Sequence, residues 1–200
     1  SFLNKIIRFE NVLNTIQYFS WAKLGQPYMG LGRNMAYKRE EFFNVNGFID
    51  HMQIRTGDDE LFINQAANGK NTTIAFTPES FSVSKPKTTF SAFFNQKRRQ
   101  IATADYFKSA DQFKLGLFYG SQLLFIITAA ILFAFQFEWI IVLSIFLGRY
   151  LIAWVVVGFS AGKLKENDIK WWFPIVEIVL IFTQVNAYFT NLFSKPIQWK

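Results

Sequence analysis

Three long apolar segments fill the C-terminal part of the chain, over residues 115–137, 139–162 and 171–194. A helix needs about 20 mostly apolar residues to cross the hydrocarbon core of a bilayer. The pattern therefore predicts a transmembrane region, residues 111–200, with about three helices. The third segment is more polar than the others because it carries Glu177, Gln184 and Asn186.

The first 110 residues show shorter and more varied patterns. Apolar positions at a helical period predict a helix from Phe2 to Leu24, ended by the turn at Gly25. Shorter helices are predicted over residues 39–45 and 58–68, the second with Thr56 as its N-cap, and an amphipathic helix over 88–106. Weak alternation predicts strands over residues 34–37, 72–76 and 81–83.

The charges divide the chain near Lys114. Between residues 115 and 162 the only charged side chains are Glu138 and Arg149. The loop over residues 163–170 is basic, whereas the turn at Glu138 is not. The positive-inside rule then places residues 1–114 and this loop in the cytoplasm. With three crossings, the terminal lysines 195 and 200 end outside against that rule, and a re-entrant third segment would remove the conflict.

Composition limits the function classes. The net charge of +7 suits an anionic lipid surface or a phosphate-bearing substrate. No nucleic-acid-binding motif accompanies it, so nucleic acid is not an expected partner. The chain has no cysteine and a single histidine, His51, which excludes a thiolate site or a multi-His metal centre. A contact of His51 with a donor phosphate or a metal stays an alternative to a purely structural role.

Arg149 and Glu177 lie within apolar segments, where an unpaired charge is costly. We expect them to form an ion pair between two helices that fixes the bundle. The alternative is that they mark a path for a lipid phosphate or a sugar.

Two short polar segments precede the membrane region: residues 56–61 (TGDDEL) and residues 96–100 (QKRRQ). Together they resemble the C-terminal half of a membrane-bound family 2 glycosyltransferase. The resemblance implies that Asp58 is the catalytic base, with Asp59 as the second candidate, and that Gln96 and Arg99 bind the donor diphosphate. Two departures are Gly57, in place of the usual Glu, and Gln100, in place of the family's Trp.

Each segment also has a simpler interpretation. Three acids in the first turn of a helix complement its dipole. Lys97, Arg98 and Arg99 could form a basic face on lipid headgroups.

Residues 30–36 (GLGRNMA) resemble the family's acceptor-site segment. The resemblance implies that Gly30, Gly32 and Asn34 bind the acceptor, and glycine lets a backbone approach a sugar closely. A simple turn before a strand explains the same residues. The order of the three segments ahead of the apolar region is more specific than any one of them.

The resemblance implies an α/β fold. Residues 1–87 would be the C-terminal part of a GT-A catalytic domain, and residues 88–110 an interfacial helix. The partners would be a nucleotide-sugar donor, a lipid-linked or polysaccharide acceptor, and membrane lipids. A divalent cation, Mg²⁺ or Mn²⁺, would be held mostly by a nucleotide-binding half that has no counterpart here, so this fragment alone should be inactive. The location would be the bacterial cytoplasmic membrane.

A different class also fits part of the pattern. A transporter or channel subunit with a cytoplasmic domain would explain the two charges within apolar segments.

Overall fold

The structure is a computed structural model that describes residues 1–54 and 56–194. Over these residues it consists of α-helices, three 3₁₀ turns and irregular loops. The helices are α1 (Phe2–Lys23), α2 (Arg39–Asn44), α3 (Asp58–Ala66), α4 (Phe90–Ala104), α5 (Ser109–Ala134), α6 (Trp139–Lys163) and α7 (Ile169–Phe193). The predicted helices are confirmed. Their ends differ from the predicted ones by at most two residues, except that α5 begins six residues and ends three residues before the predicted segment 115–137.

The predicted α/β fold is wrong. No strand occurs within residues 1–54 and 56–194. Gly32–Asn34 forms a 3₁₀ turn, and residues 72–76 and 81–83 run without regular structure. Alternation can favour an extended backbone, but a strand also needs a neighbour that pairs with its N–H and C=O groups. These segments have no such neighbour, so the described polar region contains no GT-A-type sheet.

The main core lies where α1 crosses α6 and α7. Its buried side chains on α1 are Ile6, Phe9 and Val12. Across from them lie Phe173, Val176 and Leu180 of α7, Val157 and Ala161 of α6, and Phe93 of α4. The apolar stripe that predicted α1 is therefore the stripe that the core buries.

Three helices, α5, α6 and α7, are long and apolar enough to cross a membrane. They differ in how much protein covers them. In the most apolar window, 6% of α5 and 11% of α6 is buried, against 39% of α7. α5 and α6 thus present their apolar side chains outward, whereas α7 packs along one face against α1 and α4. The terminal lysines 195 and 200 lie outside the described residues.

The predicted ion pair within the apolar segments is confirmed. Arg149 of α6 donates two hydrogen bonds to the carboxylate of Glu177 on α7, at 2.8 and 2.6 Å. Two parallel bonds between a guanidinium and a carboxylate satisfy both charges away from water. The pair therefore fixes α6 against α7.

Polar contacts also hold both ends of α7. Arg8 of α1 forms ion pairs with Glu166 and Asp168, just before α7 begins. At the other end, Arg98 of α4 donates to Asn191 Oδ1 at 2.9 Å and to the backbone oxygen of Ser194 at 2.6 Å. The first contact places the loop between α6 and α7 beside α1, as expected if both lie on one side of the membrane. The second places the end of α7 beside α4, as expected if the third apolar segment is re-entrant.

Candidate functional site

A cavity of about 1410 Å³ lies between the polar helices and the membrane helices. One side, which we name the polar wall, consists of residues 56–60 and the exposed face of α4. The opposite side, the membrane wall, consists of one face of α5 (Leu115, Gly116, Tyr119, Gly120, Leu123) and one face of α7 (Ile181, Gln184, Val185, Tyr188, Phe189). Residues of α1 close the cavity between the two walls.

The polar wall brings together the two segments singled out in the sequence. Asp58 and Asp59 line the cavity at the start of α3, and Gln96 and Arg99 line it from α4. The segments lie some 40 positions apart in the chain, and the contact of Thr56 and Gly57 with Thr103 of α4 brings them to one surface.

Gly57 makes this packing possible. It is the N-cap of α3, with a left-handed backbone at φ 75°. A Cβ atom at this position would lie 2.2 Å from Cγ2 of Thr103 on α4. Thr56 was predicted to cap α3, and this is wrong, because its hydroxyl lies 3.2 Å from the Thr103 hydroxyl instead. Gly57 therefore lets the start of α3 approach Thr103 of α4 closely.

The three acids at the start of α3 have different surroundings. Asp58 is exposed at the cavity. Asp59 accepts a hydrogen bond from the backbone N–H of Gly32 at 2.5 Å. Burial, together with the charges of Asp59 and Asp58, raises the pKa of Glu60 to about 8. At neutral pH Glu60 is therefore mostly protonated, and the Asp59 carboxylate is hydrogen-bonded to the backbone of Gly32.

The basic residues of α4 also separate by role. Lys97 is buried in an ion pair with Glu10 of α1, and Arg98 is bonded to the end of α7. Neither side chain is available to lipid headgroups. Arg99 lines the cavity, as does the buried Lys97. Partial burial lowers the pKa of Arg99, although a guanidinium stays charged at neutral pH. The idea of a basic face on lipid therefore fails for Lys97 and Arg98.

Gly30 and Gly32 pack against α3 and, like Asn34, lie outside the cavity lining. A Cβ on Gly32 would meet the Asp59 side chain at 2.6 Å, and one on Gly30 would meet Ile63 at 3.1 Å. Asn34 is exposed. The neighbours Met29, Leu31 and Arg33 line the cavity. The two glycines thus position the acidic helix by close approach of the backbone.

His51 lies away from the cavity. Its Nε2 atom is 3.0 Å from Oε1 of Gln65. Among the residues that the structure describes, no group of three or more His, Cys, Asp or Glu side chains is close enough to hold a metal ion. Within the described residues there is therefore no ligand set for a metal ion.

The cavity also contains polar side chains that sequence reasoning missed. Gln17, Tyr28 and Gln100 each place a buried polar atom in its lining, and these atoms have no hydrogen-bond partner. Tyr119 of α5 donates to Asn14 of α1 at 3.3 Å. Gln17, on an otherwise apolar side of α1, and Gln100, in the segment over residues 96–100, have a sequence signal. Because the others come from separate elements, their grouping follows from the fold alone.

The geometry defines a helical protein with three candidate membrane spans and a cavity that joins its polar and apolar parts. Comparison with other proteins adds no identity, since the chain matches no family model, no curated protein and no solved structure. The function must therefore be argued from the cavity itself.

Proposed function

We propose that this chain is part of an inverting glycosyltransferase. The intact enzyme would move a sugar from a nucleotide-diphosphate donor to a lipid-linked or polysaccharide acceptor at the membrane face. The observation that carries the proposal is the single cavity lined by both Asp58 and Arg99. Inverting transfer requires a base for the acceptor hydroxyl and a cation for the leaving diphosphate, and the polar wall offers one of each.

Asp58 is the base in this proposal. Its carboxylate is exposed at the cavity, while Asp59 is bonded to Gly32 and Glu60 is mostly protonated. A base must be ionised and accessible to the hydroxyl it deprotonates. The surroundings of the three acids therefore favour Asp58 over its neighbours.

Arg99 and Gln96 bind the donor diphosphate. A guanidinium presents a planar set of donors that suits phosphate oxygens. Lys97 and Arg98, which precede Arg99 on the same helix, bond to Glu10 and to the end of α7. The divalent cation and the nucleotide would be bound by a part of the enzyme other than the residues described.

The proposed test replaces acids one at a time in the intact protein. Transfer of radiolabelled sugar from a panel of nucleotide sugars into membrane lipid or polymer would be measured. Asp58→Asn should lower the rate by about 10²–10⁴, because a lost general base costs this much. Asp50→Asn is the matched control, since Asp50 bonds Gln65 outside the cavity lining and should leave transfer unchanged.

Two outcomes would count against the assignment. If Asp59→Asn removes transfer while Asp58→Asn does not, the base is Asp59. If both variants keep normal turnover, the acids serve only as a helix start and the proposal fails.

The proposed location is the cytoplasmic membrane of a bacterium, with residues 1–114 on the cytoplasmic side. The contact of Arg8 with Glu166 and Asp168 supports a shared side for α1 and the loop between α6 and α7. In this cysteine-free chain, single cysteines at Asn167 and Glu138 can be labelled with an impermeant reagent on intact cells. Labelling at position 167 would reverse the orientation.

The transporter alternative loses its main support. It relied on the two charges within apolar segments, Arg149 and Glu177, and these two side chains bind each other. We therefore do not favour it.

A further inference from the structure

The cavity continues from the polar wall into the apolar part of the protein. Gly116 and Gly120 lie one turn apart on α5 and face it. A Cβ atom at either position would meet nothing within 4 Å. Leu123, the next residue on this face, and Val185 and Phe189 on α7 make part of the lining apolar. This part comes from two candidate membrane helices, and a hydrocarbon chain would pack against it.

A second part of the lining, which we name the near end, is polar. The side-chain nitrogen of Gln17, the hydroxyl of Tyr28 and the side-chain oxygen of Gln100 are buried there without a partner. Tyr28 is 1% exposed and Gln17 is 7% exposed, so water has little access to them. Buried polar atoms are normally paired, because leaving one unpaired costs free energy. The three atoms offer both donors and an acceptor, and none of the groups is charged.

We infer that the cavity binds a lipid-linked sugar. The uncharged hydroxylated head would pair with Gln17, Tyr28 and Gln100, and the hydrocarbon tail would lie between α5 and α7. This inference rests on the proposed function and selects the lipid-linked acceptor over the polysaccharide. A polysaccharide has hydroxyls for the near end but no apolar portion for the membrane wall. A plain phospholipid has the tail but no neutral sugar head.

A photoreactive alkyl glycoside tests the inference directly. The intact protein is placed in phosphatidylcholine nanodiscs with n-dodecyl β-D-maltoside that carries a diazirine at the end of its alkyl chain. After irradiation, the labelled peptides are mapped by mass spectrometry. We expect labelling on the cavity faces of α5 and α7, and competition by unlabelled dodecyl maltoside. Dodecylphosphocholine, which has the same tail and a different head, should compete at least about tenfold more weakly, a difference of about 1.4 kcal/mol.

Two glycine variants test the membrane wall. Gly120→Phe fills the open space beside α5 and should reduce labelling at least about tenfold. Gly148→Phe is its matched control, because a side chain at Gly148 also meets open space but lies outside the cavity lining. Equal labelling in the two variants would overturn the proposed position of the tail.

A tyrosine variant tests the polar end. Tyr28→Phe removes a hydroxyl that has no partner in the protein, so folding should be unaffected. Labelling should fall by about three- to tenfold, as for one lost neutral hydrogen bond. Unchanged labelling would overturn the proposed position of the sugar.

The remaining controls separate this inference from the proposed function. Competition by maltose as strong as by dodecyl maltoside would overturn the lipid-linked acceptor in favour of a free glycan. Equal competition by dodecylphosphocholine would indicate a general lipid site and would also overturn it. Labelling needs no turnover, so it tests the ligand independently of the base. If the protein is labelled as expected but its Asp58→Asn variant still transfers sugar normally, the lipid-linked ligand stands and the proposed base is rejected.

Discussion

The two walls of the cavity are built in different ways. In the polar wall, Gly57 of α3 lies so close to Thr103 of α4 that no side chain fits between them. In the membrane wall, Gly116 and Gly120 of α5 face open space. The same residue type thus allows a close approach to α4 in one wall and leaves space beside α5 in the other.

This difference matches the two tasks proposed for the walls. A base and a phosphate ligand act only when they are held at fixed positions, which close packing provides. A lipid tail needs apolar volume and a route of entry, which an open face provides. The following predictions, taken from the largest expected effect to the smallest, test whether the walls differ in this way.

The largest effect is expected at the ion pair that fixes α7 to α6, because α7 carries part of the membrane wall. Glu177→Gln leaves Arg149 without its counter-charge and should cost about 3–5 kcal/mol of stability. The measurement is unfolding of the detergent-solubilised protein. Removing both charges together, as Glu177→Leu with Arg149→Met, should restore most of the loss. A single variant as stable as the wild type would mean that the pair does not support α7.

The next effect compares the glycines of the two walls. Gly57→Ala places a methyl group against Thr103 in a left-handed backbone and should cost about 2–4 kcal/mol. Gly116→Ala meets open space in a helix and should be neutral or slightly stabilising. Thermal unfolding of both variants in one detergent gives the comparison. Equal stabilities would show that the polar wall is not closely packed.

For Gly57→Ala, a second substitution identifies the cause. Thr103→Ala removes the atoms that the new methyl group would meet, so the double variant should recover part of the stability. The strain of the left-handed backbone should remain. No recovery at all would exclude contact with Thr103 as the source.

A smaller effect is expected on ligand binding at the polar wall. Arg99→Ala should weaken nucleotide-sugar binding to the intact protein by about 1.5–3 kcal/mol, the value of a lost charge-assisted hydrogen bond. Calorimetric titration in detergent measures it. Arg39→Ala is the control, because Arg39 lies over the Phe43 ring outside the cavity lining. Unchanged donor affinity with weaker liposome association would instead assign Arg99 to lipid headgroups.

The smallest effect concerns pH. The pKa of Glu60 is about 8 in the folded protein, against 4.5 as its ordinary value. Between these values the folded state keeps a proton that the unfolded state has lost, so stability should fall as the pH rises from about 5 to 8. Because Glu60 is partly exposed, we expect only about 1 kcal/mol. Glu60→Gln should remove this part of the slope in unfolding measured across the range, and an unchanged slope would contradict the shift.

Much of the helical structure could be predicted from the sequence. The apolar stripe of α1, the three long apolar segments and the pairing of Arg149 with Glu177 all follow from local periodicity or from the cost of a buried charge. The strands could not be predicted reliably, because alternation over a few residues says nothing about a pairing partner. Residues 72–76 carry the pattern without the neighbour, and the expected α/β fold failed there.

The sequence by itself determined which residues are helical, which helices are apolar enough for a membrane, and which polar segments precede them. These properties depend on side chains close together in the chain. The tertiary structure alone decided that Asp58 and Arg99 share a cavity, that Lys97 and Arg98 face inward, and that Tyr28 meets the membrane helices. Such relations depend on distances between elements far apart in the chain, which packing sets and local pattern does not encode.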